Sequence, residues 1–174
     1  MKHWNAFDWA WRSVLIVIGV LVFMTIMSGS AIAQETKHFR FDFETQELKE
    51  VKVIESDSGG VIEKYVDLVQ EYIDNDIYVE VVGNCWSACT LLSKLVETDQ
   101  ICVHPSASFH FHAPHRREMS TGKFIELAPP AYQTWFLQQY PNKLQMLIAS
   151  NGGLTINWMH VIGSDLKYIA PYCK

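Results

Sequence analysis

The fold is decided by residues 77–96, which read IYVEVVGNCWSACTLLSKLV. The first six are apolar at all but one position and rich in β-branched side chains, which is typical of a buried strand. Gly83 and Asn84 close that strand, and the leucines beyond them recur on one helical face, which predicts a helix over residues 87–96. A buried strand that leads directly into a helix indicates an α/β domain with crossover connections.

The sequence on either side repeats this alternation. Period-two or continuous apolar patterns predict strands, and 3.6-residue patterns predict helices. The predicted strands are residues 39–43, 51–54, 101–103 and 108–112. One further helix is predicted to begin at residue 61, a second covers residues 131–150 with a break near Pro141, and a last one covers residues 155–162. Residues 113–130 are predicted to form a loop. We therefore expect one α/β domain over residues 34–174.

Composition narrows the class of protein. The 174 residues carry 14 basic and 19 acidic side chains, a formal net charge of −5, and this argues against a broad nucleic-acid-binding surface. Charged residues make up 19% and no low-complexity tract occurs, so most of the chain is expected to be ordered.

The N-terminus resembles a targeting segment. A start with two basic residues and one acidic residue precedes an uncharged apolar run at residues 13–27, and small residues lead up to Ala33. This pattern predicts a signal peptide over residues 1–33 that is cleaved after Ala33, and hence a periplasmic or secreted protein. The alternative is an uncleaved hydrophobic helix that anchors the chain in the inner membrane, with residues 13–27 as its membrane contact.

Export makes the four cysteines candidates for disulfides. They are Cys85, Cys89, Cys102 and Cys173, and they allow three pairings. Cys85 and Cys89 flank the predicted helix start, where a bond between them is geometrically awkward. We therefore expect Cys102 to pair with one of them, and the sequence leaves open which one.

Three segments could combine into a hydrolytic site. Gly59 and Gly60 join a strand to a helix, where glycine lets backbone amides turn toward a ligand. Ser87 follows the buried strand and opens a helix, so its hydroxyl and the next amide lie at a positive helix end that stabilises an oxyanion. His112 ends a later strand and could remove the serine proton. The competing interpretation of Ser87 is an ordinary helix cap.

These segments also resemble a known family. SGGVI at 58–62, CWSAC at 85–89 and PSASFHFHAP at 105–114 are similar, in that order, to the SPGGxI, ASM and IHQP motifs of the Clp protease proteolytic subunit. The interval between the serine and the histidine matches the family's without a gap. The CxSACT variety with a downstream FH pair looks like exported members of the Clp protease/crotonase superfamily. The resemblance implies an α/β spiral of ββα units.

Carried over residue by residue, the resemblance implies Ser87 as nucleophile and His112 as general base, with the Gly60 and Ala88 amides as oxyanion hole. Asp165 is the best match to the family's third catalytic residue. The implied reaction is ATP-independent hydrolysis of a peptide or protein substrate without a cofactor. Since members of the superfamily usually form oligomers, the resemblance is also consistent with a homo-oligomer. The alternative function is a catalytically inactive module that binds peptides or a partner protein in the periplasm.

Two weaker readings concern the histidines and the adjacent basic run. His110 and His112 are two residues apart on a predicted strand and therefore face the same side, so with a third imidazole they could hold zinc or copper. No carboxylate signature accompanies them, and we predict no metal. The basic run at residues 115–117 is interpreted as a solvated loop at the rim of the proposed cleft, where a peptide carboxylate could be recognised. Trp86 could fill part of that cleft.

Overall fold

The elements of the domain alternate between strands and helices. The computed structural model describes residues 38–42, 47–118 and 120–174, all within one of the chain's two units, Lys37–Lys174. In chain order the elements are β1 (His38–Asp42), β2 (Glu47–Asp57), α1 (Ile62–Asp74), β3 (Tyr78–Trp86), a first 3-10 helix (Ser87–Thr98), β4 (Ile101–Val103), β5 (Ser108–Phe111), β6 (His115–Arg117), β7 (Phe124–Leu127), α2 (Pro130–Leu137), α3 (Asn142–Ser150), β8 (Met159–Ile162) and a second 3-10 helix (Gly163–Tyr168). The domain is mixed α/β, as the sequence predicts.

The main sheet brings the carboxyl ends of the parallel strands β2, β3 and β5 together. Its order is β1-β2-β3-β5-β8, with β4 also paired to β3. Strand β3 runs parallel to β2, β4 and β5, whereas β1 and β8 are antiparallel edge strands. The glycine pair follows β2, Ser87 follows β3 and His112 follows β5. Since ligands of open α/β sheets bind outside the carboxyl ends of the strands, this topology collects the candidate residues at one edge.

The core lies where β3 and the first 3-10 helix meet. Val79 and Val81 are fully buried and alternate with partly buried neighbours, as expected for a central strand. The inward residues predicted for the following helix, Leu91, Leu92 and Leu95, are each at most 1% exposed. This packing fixes the direction in which the chain leaves β3, and therefore the position of Ser87.

Two predicted elements differ from the structure. Residues 113–130 are not a simple loop, because β6 and β7 pair there as an antiparallel hairpin. Residues 155–162 were predicted to be helical, but β8 occupies Met159–Ile162 and pairs with β5. Val161 is the buried residue of β8 and lies opposite the buried Phe109, so pairing with the sheet edge overrides the local helical pattern. Pro141 does separate α2 from α3.

The disulfide pairing corrects our expectation. Cys85 bonds Cys89, which we name the elbow disulfide, and Cys102 bonds Cys173, which we name the tail disulfide. The elbow pair is feasible because the chain reverses tightly at Ser87, leaving the two Cα atoms 5.4 Å apart. The prediction that Cys102 pairs with Cys85 or Cys89 is therefore wrong. The C-terminal tail lies along β4 and brings Cys173 beside Cys102.

The predicted signal or anchor at residues 1–33 lies outside the described residues. Within the part of the chain that is described, no helix has the length and apolar character needed to cross a membrane.

Candidate active site

Ser87 occupies the turn between β3 and the first 3-10 helix. Its φ is +56°, a left-handed conformation that non-glycine residues adopt at a cost of about 1 kcal/mol. The Thr90 hydroxyl donates to the Ser87 carbonyl at 2.6 Å, and the buried Tyr140 hydroxyl lies 2.8 Å from the Thr90 oxygen. Burial raises the pKa of Tyr140, so it stays a neutral donor to Thr90. The strained turn is thus held from the core side and presents its hydroxyl at the sheet edge.

His112 faces that hydroxyl with a defined tautomer. Its Nε2 lies 2.7 Å from the Ser87 Oγ, and its Nδ1 lies 2.7 Å from the Ala113 carbonyl oxygen. A carbonyl can only accept, so Nδ1 carries the proton and donates it to Ala113. In the neutral ring the lone pair is then on Nε2, where it accepts the hydrogen bond from Ser87. The pair has the polarity that a general base and its nucleophile require.

The surroundings of His112 keep its ring neutral. Burial is the main cause and lowers its pKa, and the neighbouring His115 and Arg117 lower it further. The hydrogen bond to Ala113 acts in the opposite direction and is outweighed. The lowered pKa leaves Nε2 unprotonated at neutral pH.

Gly59 fits directly against the Ser87 turn. Its φ is +74°, and a Cβ placed on it would lie 2.4 Å from the Trp86 carbonyl oxygen and 2.7 Å from the Ala88 nitrogen. The Asp57 carboxylate fixes this bend, because Oδ1 accepts from the Gly59 N–H at 2.8 Å and from the Tyr65 hydroxyl at 2.5 Å. Glycine is therefore required at this position by both conformation and space.

The two amides that the sequence predicts as an oxyanion hole differ in exposure. The Gly60 N–H has no acceptor among the described hydrogen bonds, and Gly60 is exposed at the cleft. The Ala88 N–H lies in the first turn of the 3-10 helix, where no intrahelical acceptor exists, although the residue itself is 1% exposed. Ala88 follows Ser87 in the chain, and Gly60 follows Gly59, which fits against the Ser87 turn.

The pair opens into a cleft of about 400 Å³, which we name the serine cleft. Its lining residues are Ser58, Gly59, Gly60, Ile62, Ser87, His112, Pro114, His115, Arg117 and Trp158. A groove of about 690 Å³, the hairpin groove, continues from it between the start of α1 and the β6–β7 hairpin. The two depressions share Gly60, Ile62, Pro114, His115 and Arg117.

The tryptophan of the serine cleft is Trp158, a residue not predicted from the sequence to lie there. Its ring meets the His112 ring edge to face at 4.4 Å between centroids and also meets Trp86 at 5.1 Å. Trp86, proposed from the sequence to fill the cleft, does not line it and stacks on His110 instead. Trp158 immediately precedes β8, and the pairing of β8 with β5 brings it beside His112, so recognising β8 as a strand would have predicted this position.

Asp165 is not the partner of the His112 ring. Strand β8 runs antiparallel to β5, with Ile162 opposite Ser108 and Met159 opposite Phe111. Asp165 therefore follows the end of β8 that lies beside the start of β5, roughly 13 Å along the strand from His112. It is exposed, and the Nδ1 position that it was expected to hold is taken by the Ala113 carbonyl.

Two other serine–histidine contacts occur among the described residues, and they differ in chemistry. The Ser108 hydroxyl donates to the Asn84 side-chain oxygen at 2.6 Å and must accept from the His110 Nε2 at 2.8 Å, so His110 cannot act as its base. Ser106 contacts the His104 Nδ1 at 2.7 Å on the exposed surface, and neither residue lines the serine cleft. Within the described part of the chain, no group of three histidine, cysteine or acidic side chains is arranged to hold a metal ion.

Comparisons with known proteins give a fold likeness only. No protein-family model matches the chain, and no curated protein matches it significantly. Two solved structures of the 1510-N membrane-bound stomatin-specific protease are similar: a lysine-to-alanine mutant in complex with a substrate peptide, at 22% identity and a TM-score of 0.48, and a serine-to-alanine mutant, at 20% and 0.47. Each match covers 68% of this chain, which spans 57% and 61% of the two solved chains.

Proposed function

We propose that the chain is a Clp protease-like serine hydrolase that acts as an ATP-independent peptidase. The observation that carries this proposal is the 2.7 Å contact between the Ser87 Oγ and the His112 Nε2, made with the correct proton polarity at an open cleft. The ordered sequence motifs that resemble the Clp protease subunit support the same roles for these two residues.

In the proposed reaction, the Ser87 oxygen attacks a peptide carbonyl carbon while its proton moves to the His112 Nε2. The carbonyl oxygen becomes an oxyanion that accepts hydrogen bonds from the Gly60 and Ala88 N–H groups. The tetrahedral intermediate collapses as His112 returns the proton to the leaving amine, which leaves an acyl group on Ser87. A water molecule then attacks this ester as His112 takes up one of its protons. When the second tetrahedral intermediate collapses, His112 returns that proton to the Ser87 oxygen and the acid is released.

The Ala113 carbonyl replaces the carboxylate of a serine triad in this proposal. It fixes the tautomer and orientation of His112, which are the main tasks of the third residue. It carries no full charge, however, and therefore stabilises the protonated ring less than a carboxylate would. We expect hydrolysis to be slower than that of a complete triad for this reason.

The two disulfides support an oxidising compartment for the proposed enzyme, since disulfides persist outside the reducing cytosol. We propose a periplasmic or secreted location on that basis.

A second candidate function is a non-catalytic module that binds peptides or a partner protein through the serine cleft. The observation that favours this binding function is that the His112 Nδ1 contacts the uncharged Ala113 carbonyl and not a carboxylate. Such a module would bind peptides with equal affinity in the wild type and in Ser87→Ala, and neither protein would hydrolyse them.

A fluorophosphonate probe distinguishes the two functions because it reacts with activated serine hydroxyls. We expect the full chain to be labelled, with peptide mapping placing the adduct on Ser87, and labelling to be lost in Ser87→Ala and His112→Ala. Ser106→Ala is the matched control, since its serine also contacts a histidine but lies on the exposed surface. It should label like the wild type.

Labelling of the wild type no faster than that of Ser87→Ala would overturn the hydrolase and leave the binding module. An adduct that maps to Ser58 or Ser106 would overturn the assignment of the nucleophile.

A further inference from the structure

The serine cleft is lined by cationic and neutral groups, although the whole chain is acidic. Among its lining residues, Arg117 carries a fixed positive charge and none is a carboxylate. The nearby Asp57 carboxylate is occupied by the Gly59 N–H and the Tyr65 hydroxyl. The cleft therefore offers positive charge beside the candidate nucleophile.

Adjacent arginines of β6 have different partners. Arg116 forms an ion pair with Glu126 of β7 at 2.9 Å, and the two residues lie opposite each other in the hairpin. The pairing then shifts by one residue, so that Arg117 lies opposite Phe124. Such irregularities re-aim side chains, and Arg117 reaches the serine cleft, whereas Arg116 lines only the hairpin groove.

A chain of hydrogen bonds positions Arg117 relative to the candidate base. The Arg117 Nε donates to the His115 Nε2 at 2.6 Å, and the His115 Nδ1 contacts the Ala113 carbonyl at 3.1 Å. That carbonyl is also the acceptor for the His112 Nδ1. The arginine is thus fixed through its Nε, which leaves its two terminal nitrogens for another acceptor.

No carboxylate lies within ion-pair distance of Arg117 in the part of the chain that the structure describes. The other acidic group of the hairpin groove, Glu63, is held by the Tyr132 hydroxyl at 2.7 Å, which lowers the pKa of Glu63. A guanidinium with free terminal nitrogens presents the two-pronged donor pattern that a carboxylate accepts.

We propose that Arg117 is a specificity-determining residue that binds a carboxylate of a peptide near the bond presented to Ser87. The carboxylate comes from an acidic side chain or from the peptide's own C-terminus. This inference rests on the proposed function for its site, but recognition itself requires no hydrolysis.

The test measures binding in a catalytically silent background. Fluorescein-labelled peptides that carry Glu or Gln at a central position, each with a free or an amidated C-terminus, are titrated with Ser87→Ala, and anisotropy gives the Kd. We expect one carboxylate-bearing form to bind about twofold to fivefold more tightly than its neutral counterpart, which is the range of a favourable exposed charge pair. The Glu/Gln pair reports an acidic side chain, and the free/amidated pair reports the terminus.

Adding Arg117→Gln should reduce this preference to about one. Adding Arg116→Gln is the matched control and should preserve it, because Arg116 is already paired with Glu126. The proposal is overturned if no peptide binds, if the neutral peptide binds as well as the acidic one, or if the preference survives Arg117→Gln. Failure of the hydrolase proposal shows separately, as absence of probe labelling in the wild type.

Discussion

The substitution Gly59→Ala tests whether the glycine bend supports the Ser87 turn. The new Cβ would lie 2.4 Å and 2.7 Å from backbone atoms of Trp86 and Ala88, which cannot rotate away as a flexible side chain could. The substitution also places alanine at a φ of +74°. One change therefore perturbs both the bend and the candidate nucleophile.

Two other glycines separate these contributions. Gly122 has a φ of +66° and no atom of the described residues within 4 Å of an added Cβ, so Gly122→Ala measures the conformational cost alone, about 1 kcal/mol. At Gly60 the nearest atom would be 3.8 Å away, so Gly60→Ala should change the free energy of unfolding by less than about 0.5 kcal/mol. Gly59→Ala adds overpacking of about 1–3 kcal/mol to the conformational cost, or about 2–4 kcal/mol in all.

Thermal unfolding and probe labelling measure the two consequences. At about 3 °C per kcal/mol, Gly59→Ala should lower the Tm by roughly 6–12 °C and Gly122→Ala by roughly 3 °C. A displacement of the Ser87 turn by about 1 Å should slow labelling by about 100-fold at a temperature where the variant is folded. A Gly59→Ala protein that matches Gly122→Ala in Tm and labels at the wild-type rate would refute the contact between bend and turn.

Three further predictions concern protons and disulfides. Because burial lowers the pKa of His112, the acid limb of the labelling rate against pH should be centred below pH 6.5; a midpoint at or above 6.5 would contradict this. Replacing both cysteines of the elbow disulfide with alanine should slow labelling of Ser87 and cost roughly 2 kcal/mol of stability. Removing the tail disulfide, whose cysteines are 71 residues apart, should cost roughly 4 kcal/mol and leave labelling unchanged. The reverse pattern would disprove the claim that the elbow disulfide holds the Ser87 turn. Burial, and to a smaller extent His160, lower the pKa of His110 to about 4, so the unfolded chain protonates this imidazole more readily than the folded chain does. The free energy of unfolding should therefore fall as the pH drops from about 6.5 to 4, and it should fall less steeply in His110→Gln. Equal pH dependence of the unfolding free energy in the two proteins would contradict this prediction.

The central strand and its helix follow from the sequence because their patterns are local and strong. Residues 77–82 and the leucines after Ser87 form the core that the periodicity predicts. The edge strand β8 does not, because what makes it a strand is pairing with β5, some fifty residues earlier. The elbow disulfide could not be predicted either, because its geometry depends on the left-handed backbone conformation of Ser87, which no sequence pattern indicates.

The candidate site divides in the same way. Ser87 and His112 lie together because each follows the carboxyl end of a parallel strand, and parallel strands can be recognised along the chain. The third position cannot be inferred from a C-terminal motif, because β8 runs antiparallel and carries Asp165 away from the cleft. The group that replaces it, the Ala113 carbonyl, belongs to the backbone, and no residue type could have marked it.

Because the Ala113 carbonyl stands where a triad carboxylate would be, the pKa of His112 depends on the charges around the serine cleft. A carboxylate beside His112 would raise the pKa of the ring, whereas here burial and the neighbouring Arg117 lower it. A peptide carboxylate bound at Arg117 would offset part of that positive charge and favour the protonated ring that forms when Ser87 attacks. Substrate binding would then supply some of the stabilisation that a triad carboxylate provides, so an acidic peptide should be favoured in the rate of the chemical step as well as in binding.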